Sequence, residues 1–416
     1  MALLMKNLSK KPESEYKRLK AITLLADRFV SWQNHYGRVN PSTCPFVFTE
    51  NMVTSCNFHS PTFLAIGLYD AWNFTGIDLY KEVADRYIIF YLSCLRNPPS
   101  KPDHYAEDWL EFMETQFGPN EHLKKWSINI LNWPFIQGMA LAGFGAFRKT
   151  NPNERAMDSK AAAIYEWLLH YKWNKGSYLR NGYGNLAHNV EDAGNSDDLC
   201  HMGRGLIRYY ELTKRKEVLK HSEKLAKYFL TESLPGTYNG CWSSKAGSWI
   251  IAPTSVDSFE HFSGKASSNI AWGFSSVGAI EFLTTLYSYT NNDSMKLSIK
   301  EKCCQSMQWQ FDQCQFEDGS IGMSMRDDKW VGMTASAILS YIAVKQSKFL
   351  DENLIKTYKS KAKAASNWLL KNINDDMINQ GGYQKVTGLS EPRPLDNLAW
   401  LFGLTLSGLC KLDNID

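Results

Sequence analysis

The chain has 416 residues, 44% of them hydrophobic and 21% charged, enough apolar material for a large core and too little charge for a disordered polymer. Its 46 basic and 43 acidic residues leave a net charge of +3, which carries no electrostatic footprint for nucleic acid. The 9 cysteines are odd in number, two of them adjacent (Cys303 and Cys304), and no CxxC spacing occurs, which argues against structural zinc and a disulfide framework.

In chain order, the N-terminal MALLMKNLSKK has an apolar stretch too short for a signal peptide. The most apolar later run, 130–147, is broken by Asn132, Pro134 and Gln137 and reads as a core helix. We therefore expect no membrane span and a cytoplasmic protein. Short punctuation rich in Thr, Asn, Asp, Gly and Lys then recurs at 71–78, 147–154, 210–217, 287–294 and 343–353, as tight helix–helix turns require. Apolar helices rich in small residues precede these turns, beginning near 61, 133, 197, 268, 331 and 395. Amphipathic helices follow them or open the chain, near 14, 77, 153, 215, 292 and 350.

A helix apolar all round is buried, whereas one with a charged face is peripheral. Six of each, alternating, predict an all-α, (α/α)6 toroid of six inner and six outer helices, spanning 1–416 as one domain. The helix at 14–35 is left to pair with the last one, at 395–411, closing the ring. The outer-to-inner connections are long, near 36–60, 97–132, 173–195, 232–267, 316–330 and 373–394, with room for small hairpins. All six emerge where the inner helices begin, and long ordered loops with helix N-termini beneath them mark a functional face.

Polar and aromatic residues cluster at those helix starts, a mixture suited to a sugar pocket. The main acid candidates are Asp197 and Asp198 in GNSDDLCHMGRGL, with His201 three residues on and on the same helical face. Equally, an Asp at a helix start is an ordinary cap. His261 in VDSFEHFSGK is a second acid–base candidate. Trp242, Trp249, Trp272 and Trp330 are candidate platforms for sugar faces, with Asn269 and Asp328 on hydroxyls and Arg204 or Arg393 for an anionic substrate. The EDGS piece of FEDGSIGM reads as a turn. Nucleotide and common hydrolase motifs are absent from the sequence, so no cofactor or metal is expected, and the partner would be a small molecule or oligosaccharide.

This pattern resembles the six-hairpin glycosidase superfamily, and among it the unsaturated uronyl hydrolases. SDDLCHMGRGLIRYYELTKRKEVLKHSEKLAKYF is similar to the family segment in which an inner helix opens on a catalytic Asp, which would place the acid at Asp198. The family's R-G-Q-A-W motif is met by Ser268–Trp272 only in Ala271 and Trp272, and its further carboxylate falls between Asn132 and Gln137, where no acid stands. SFEHF resembles a piece of the N-acylglucosamine 2-epimerase family, which shares the fold. CQFEDGSIGM, NWLLKNINDDMINQGGY and NSDD resemble motifs of terpene-cyclase toroids, in which Asp197 would protonate an isoprenoid alkene. A non-catalytic binding toroid is the third reading.

Overall fold

Apolar periodicity and Thr-rich turns produce twelve α-helices among the described residues of the computed structural model, which are 13–33, 60–93, 134–172, 196–233, 240–250, 271, 273–323, 329–375, 378, 383–384 and 399–416. They are α1 (Glu13–Trp32), α2 (Ser60–Thr75), α3 (Asp78–Ser93), α4 (Pro134–Thr150), α5 (Asp158–Lys172) and α6 (Ser196–Thr213), then α7 (Lys216–Leu230), α8 (Gly273–Tyr287), α9 (Asp293–Gln313), α10 (Val331–Gln346), α11 (Glu352–Asn372) and α12 (Ala399–Cys410). The even-numbered helices form the inner ring. Each packs on the next, and α12 packs on α2, so the ring closes. The odd-numbered helices lie outside, each burying one stripe: α7 turns Val218, Ser222, Leu225 and Phe229 inward while its lysines face out. The fold is an (α/α)6 toroid.

Inner helices approach through glycines. A Cβ on Gly205 of α6 would sit 2.1 Å from the Gly138 carbonyl oxygen of α4, and one on Gly403 of α12 would sit 2.4 Å from the Phe63 carbonyl oxygen of α2. Such backbone contact explains the small-residue character of this helix set.

The repeated inner-to-outer turn has a shared chemistry. Thr75 at the end of α2 donates to Ala71 O (2.7 Å) and accepts from Ile77 N (3.2 Å), and Thr213 of α6 does the same with Tyr209 O (2.9 Å) and Arg215 N (3.4 Å). The hydroxyl thus serves both the last helical carbonyls and the first amide of the return. Between them the chain reverses through positive φ, 72° at Gly76 and 53° at Lys214.

Two short antiparallel strand pairs, the first a hairpin and the second joined across α10 and α11, stand at the end of the ring where the inner helices begin. β1 (Trp242–Ser243) pairs with β2 (Ser248–Trp249), and β3 (Lys329–Trp330) pairs with β4 (Tyr383–Gln384). The first is fastened by serines. Ser248 Oγ lies 2.9 Å from both Ser276 Oγ of α8 and Ser306 Oγ of α9, while Ser196 at the start of α6 donates to Ile250 O at 2.6 Å. No helix among the described residues is long and apolar enough to cross a membrane.

Candidate functional site

Asp197 and Asp198 occupy the second and third positions of inner helix α6, right after buried Ser196. From there a polar stripe runs down the helix at spacings of three and four: His201, Arg204, Arg208 and Glu211. His201 and Arg204 are buried, at 2% and 4% exposure. The Arg204 guanidinium places Nη1 3.2 Å from His201 Nδ1 and Nε 2.7 Å from Glu281 Oε2 of α8. It also lies 5.2 Å from the centre of the Phe63 ring of α2, which meets the His201 ring edge-on at 5.3 Å.

Glu281 anchors a wider charge belt. Arg208 bridges Glu281 (3.2 Å) and Glu211 (2.7 Å), Tyr289 donates to Glu211 (3.2 Å), and Lys411 after α12 pairs with Asp70 of α2 (2.8 Å). Burial on its own raises a carboxyl, but Arg204, Arg208 and Lys411 outweigh it and hold Glu281 down at about 2. Sequence reasoning passed over Glu281. The signal was there: one acid within the otherwise uncharged helix GFSSVGAIEFLTTLY.

These positions bear on four of the expected site residues. Trp242 and Trp249 are 1% and 0% exposed, packed against each other at 5.2 Å between ring centres, with Trp249 Nε1 donating to Phe229 O at 2.8 Å. Trp330 is 4% exposed and occupies the N-cap position of α10 without a side-chain capping bond. An indole enclosed in the core has no face to offer a sugar. The reason is the strand pairs: the β1–β2 hairpin folds Trp242 and Trp249 over the end of α7, and pairing with Tyr383 holds Trp330 against the start of α10. Arg204 is likewise engaged, its Nε paired with Glu281 at 2.7 Å.

The EDGS piece forms the expected turn, and the residues around it act as bracing. Gln315 Nε2 donates to Gly319 O (3.2 Å) and to Lys361 O of α11 (3.0 Å), tying the end of α9 to its neighbour, and Asp318 pairs with Lys329 at 2.6 Å. His261, Asn269, Trp272, Asp328 and Arg393 lie outside the described residues. Among the described residues, no three His, Cys, Asp or Glu side chains gather as a metal site.

Among the solved structures that share this architecture are carbohydrate-active proteins of several kinds. A glycosyl hydrolase family 88 protein from Bacteroides vulgatus superposes with a TM-score of 0.62 at 13% identity, over 97% of this chain and 100% of that one. A GH76A alpha-1,6-mannanase from Salegentibacter sp. superposes with a TM-score of 0.58 at 11% identity, over 96% and 100%. An inactive variant of that mannanase, with two consecutive aspartates changed to asparagine and alpha-1,6-mannotriose bound, gives 0.55 at 11% identity over 95% and 99%. No protein-family model matches the sequence, and no curated protein matches it. At these identities the likeness is one of fold: the chain shares the (α/α)6 toroid of these structures.

Proposed function

We propose that the chain, taken as one toroid domain, is a carbohydrate-active enzyme of the glycoside-hydrolase type, with its reaction at the end of the ring where the inner helices begin. Asp198 is the general acid, and Asp197 is the neighbour that raises its pKa by like-charge proximity. The observation that carries this reading is the adjacent Asp pair in the first turn of inner helix α6, within this fold. The mannanase variant, inactive with two consecutive aspartates replaced, supports giving such a pair the chemistry. A uronate substrate needs a cation, and with Arg204 committed to Glu281 the sequence leaves Arg393 for that role.

The test is a thermal-shift panel of neutral and uronate-containing oligosaccharides beside a panel of polyprenyl diphosphates. Any stabilising saccharide is then assayed for newly formed reducing ends. Stabilisation by saccharides with turnover supports the proposal. Stabilisation by polyprenyl diphosphates alone replaces it with the cyclase reading, and no response to either panel with no turnover favours a scaffold.

A further inference from the structure

His201 is the acid–base candidate with described surroundings, and those surroundings constrain its protons. A guanidinium carries donors only, so a ring nitrogen within hydrogen-bond distance of it must accept. Arg204 Nη1 stands 3.2 Å from His201 Nδ1, which puts the single proton of the neutral ring on Nε2. Arg204 cannot swing away freely, since Glu281 Oε2 holds its Nε at 2.7 Å and the Phe63 ring lies 5.2 Å from its centre.

Protonating Nδ1 would set one N–H against another and place a second cation beside Arg204, in a site where both side chains are nearly enclosed. The charged groups brought against His201 by the described elements are Arg204 from α6 and, through it, Glu281 from α8; α2 contributes the apolar Phe63. With Nδ1 occupied and Nε2 already protonated, the ring has no nitrogen free to take a proton. It can donate a hydrogen bond from Nε2, and the two nitrogens of an imidazole point in diverging directions, so that donor faces away from Arg204.

We infer that Arg204 and Glu281 are positioning residues that lock His201 as its neutral Nε2–H tautomer, making it a fixed hydrogen-bond donor one turn beneath Asp197 and Asp198 and removing it from proton transfer. The functional part of this inference rests on the proposal that the reaction occurs at that end of α6. The tautomer does not.

The experiment is long-range nitrogen–proton NMR on the full-length, nitrogen-15-labelled chain, with the His201 signals assigned by their loss in His201→Gln. The expected spectrum has an unprotonated Nδ1 and a protonated Nε2, one tautomer exceeding the other about tenfold or more, the ratio that a charge-assisted hydrogen bond supports. It should not change between about pH 5.5 and 8, where a free histidine titrates. A ring that titrates there, or carries its proton on Nδ1, overturns the lock. In Arg204→Met the preference should collapse toward a mixture; a single tautomer surviving that change overturns the positioning role. Should Arg204→Met fail to fold, Glu281→Gln is read by the same criterion, while the wild-type spectrum decides the lock by itself. Because no substrate is needed, a chain inert toward every saccharide would sink the proposed function and leave this result standing.

Discussion

Arg18 in the first helix donates from Nε to the carbonyl of Leu409 in the last, 2.8 Å away and 391 residues along the chain. Its Nη2 reaches Cys410 O at 2.8 Å, its Nη1 pairs with Asp413 at 2.5 Å, and its guanidinium lies 4.4 Å from the centre of the Phe74 ring of α2. One buried cation therefore caps the carbonyl end of α12 and joins it to α1 and α2, where the toroid closes.

Arg18→Met should cost about 2–3 kcal/mol, because it strands two carbonyls at a helix end and unpairs Asp413. Arg18→Lys should recover little of this, since an ammonium cannot reach in a planar fork. Urea unfolding measures both, and a Lys variant as stable as wild type would refute the capping geometry.

Gly205→Ala should be among the most damaging single methyl additions in the chain, because the new Cβ would meet the Gly138 carbonyl oxygen at 2.1 Å. Backbone cannot step aside as a side chain does, so a loss of about 3 kcal/mol or more is expected. Gly408→Ala, whose Cβ would meet Ala335 Cβ at 3.1 Å, should cost visibly less in the same denaturation series.

His221 on α7 is 4% exposed, and burial first, then Lys224, pushes its pKa from 6.5 down to about 4. The unfolded chain binds this proton below pH 6.5 while the folded one does not, so stability should fall as pH drops from 6.5 toward 4. The group contributes up to about 3 kcal/mol of that loss. His221→Gln should flatten the dependence of melting temperature on pH in this window, and an unchanged slope would contradict the assignment.

Glu281 has the same sense in a more acid window. Its folded pKa, held at about 2, lies below the ordinary 4.5, so its stabilisation is fully present above 4.5 and lost as pH falls from there toward 2. Glu281→Gln should be less stable at neutral pH, where Arg204 and Arg208 lose their shared anion, and its deficit should shrink in acid. Melting curves at pH 7 and 3 distinguish this from a uniform packing defect.

Asp198→Asn should cost about a thousandfold in turnover on whichever saccharide proves to be the substrate, with the melting temperature kept. His201→Gln, which retains an N–H donor, should keep most of kcat, whereas His201→Phe should not. Equal losses in the two His201 variants would restore His201 to acid–base chemistry.

The helical hairpins were readable because each helix type writes its burial into its own sequence. Amphipathic helices expected near 14, 77, 215, 292 and 350 begin at Glu13, Asp78, Lys216, Asp293 and Glu352. The start near 153 lies later, at Asp158, because Arg148 Nη1 takes the carbonyls of Asn151 (2.8 Å) and Pro152 (2.7 Å) and holds that stretch as a turn. The burial of Trp242 and Trp249 had no local signal: an aromatic in a long connection has the same sequence whether its ring meets solvent or a hairpin folds it over Phe229.

Local chemistry by itself determined the alternation of apolar and amphipathic helices, the Thr-bearing turns between them and the Asp pair at an inner-helix start, since each follows from periodicity or turn propensity within a few residues. Only the tertiary structure decided what the charged groups face. Glu281 finds Arg204 across two helices, Arg18 finds the end of α12 across nearly the whole chain, and His201 loses its proton-accepting nitrogen to Arg204. A charge's state depends on the partner and the dielectric around it, and neither exists until the ring has closed.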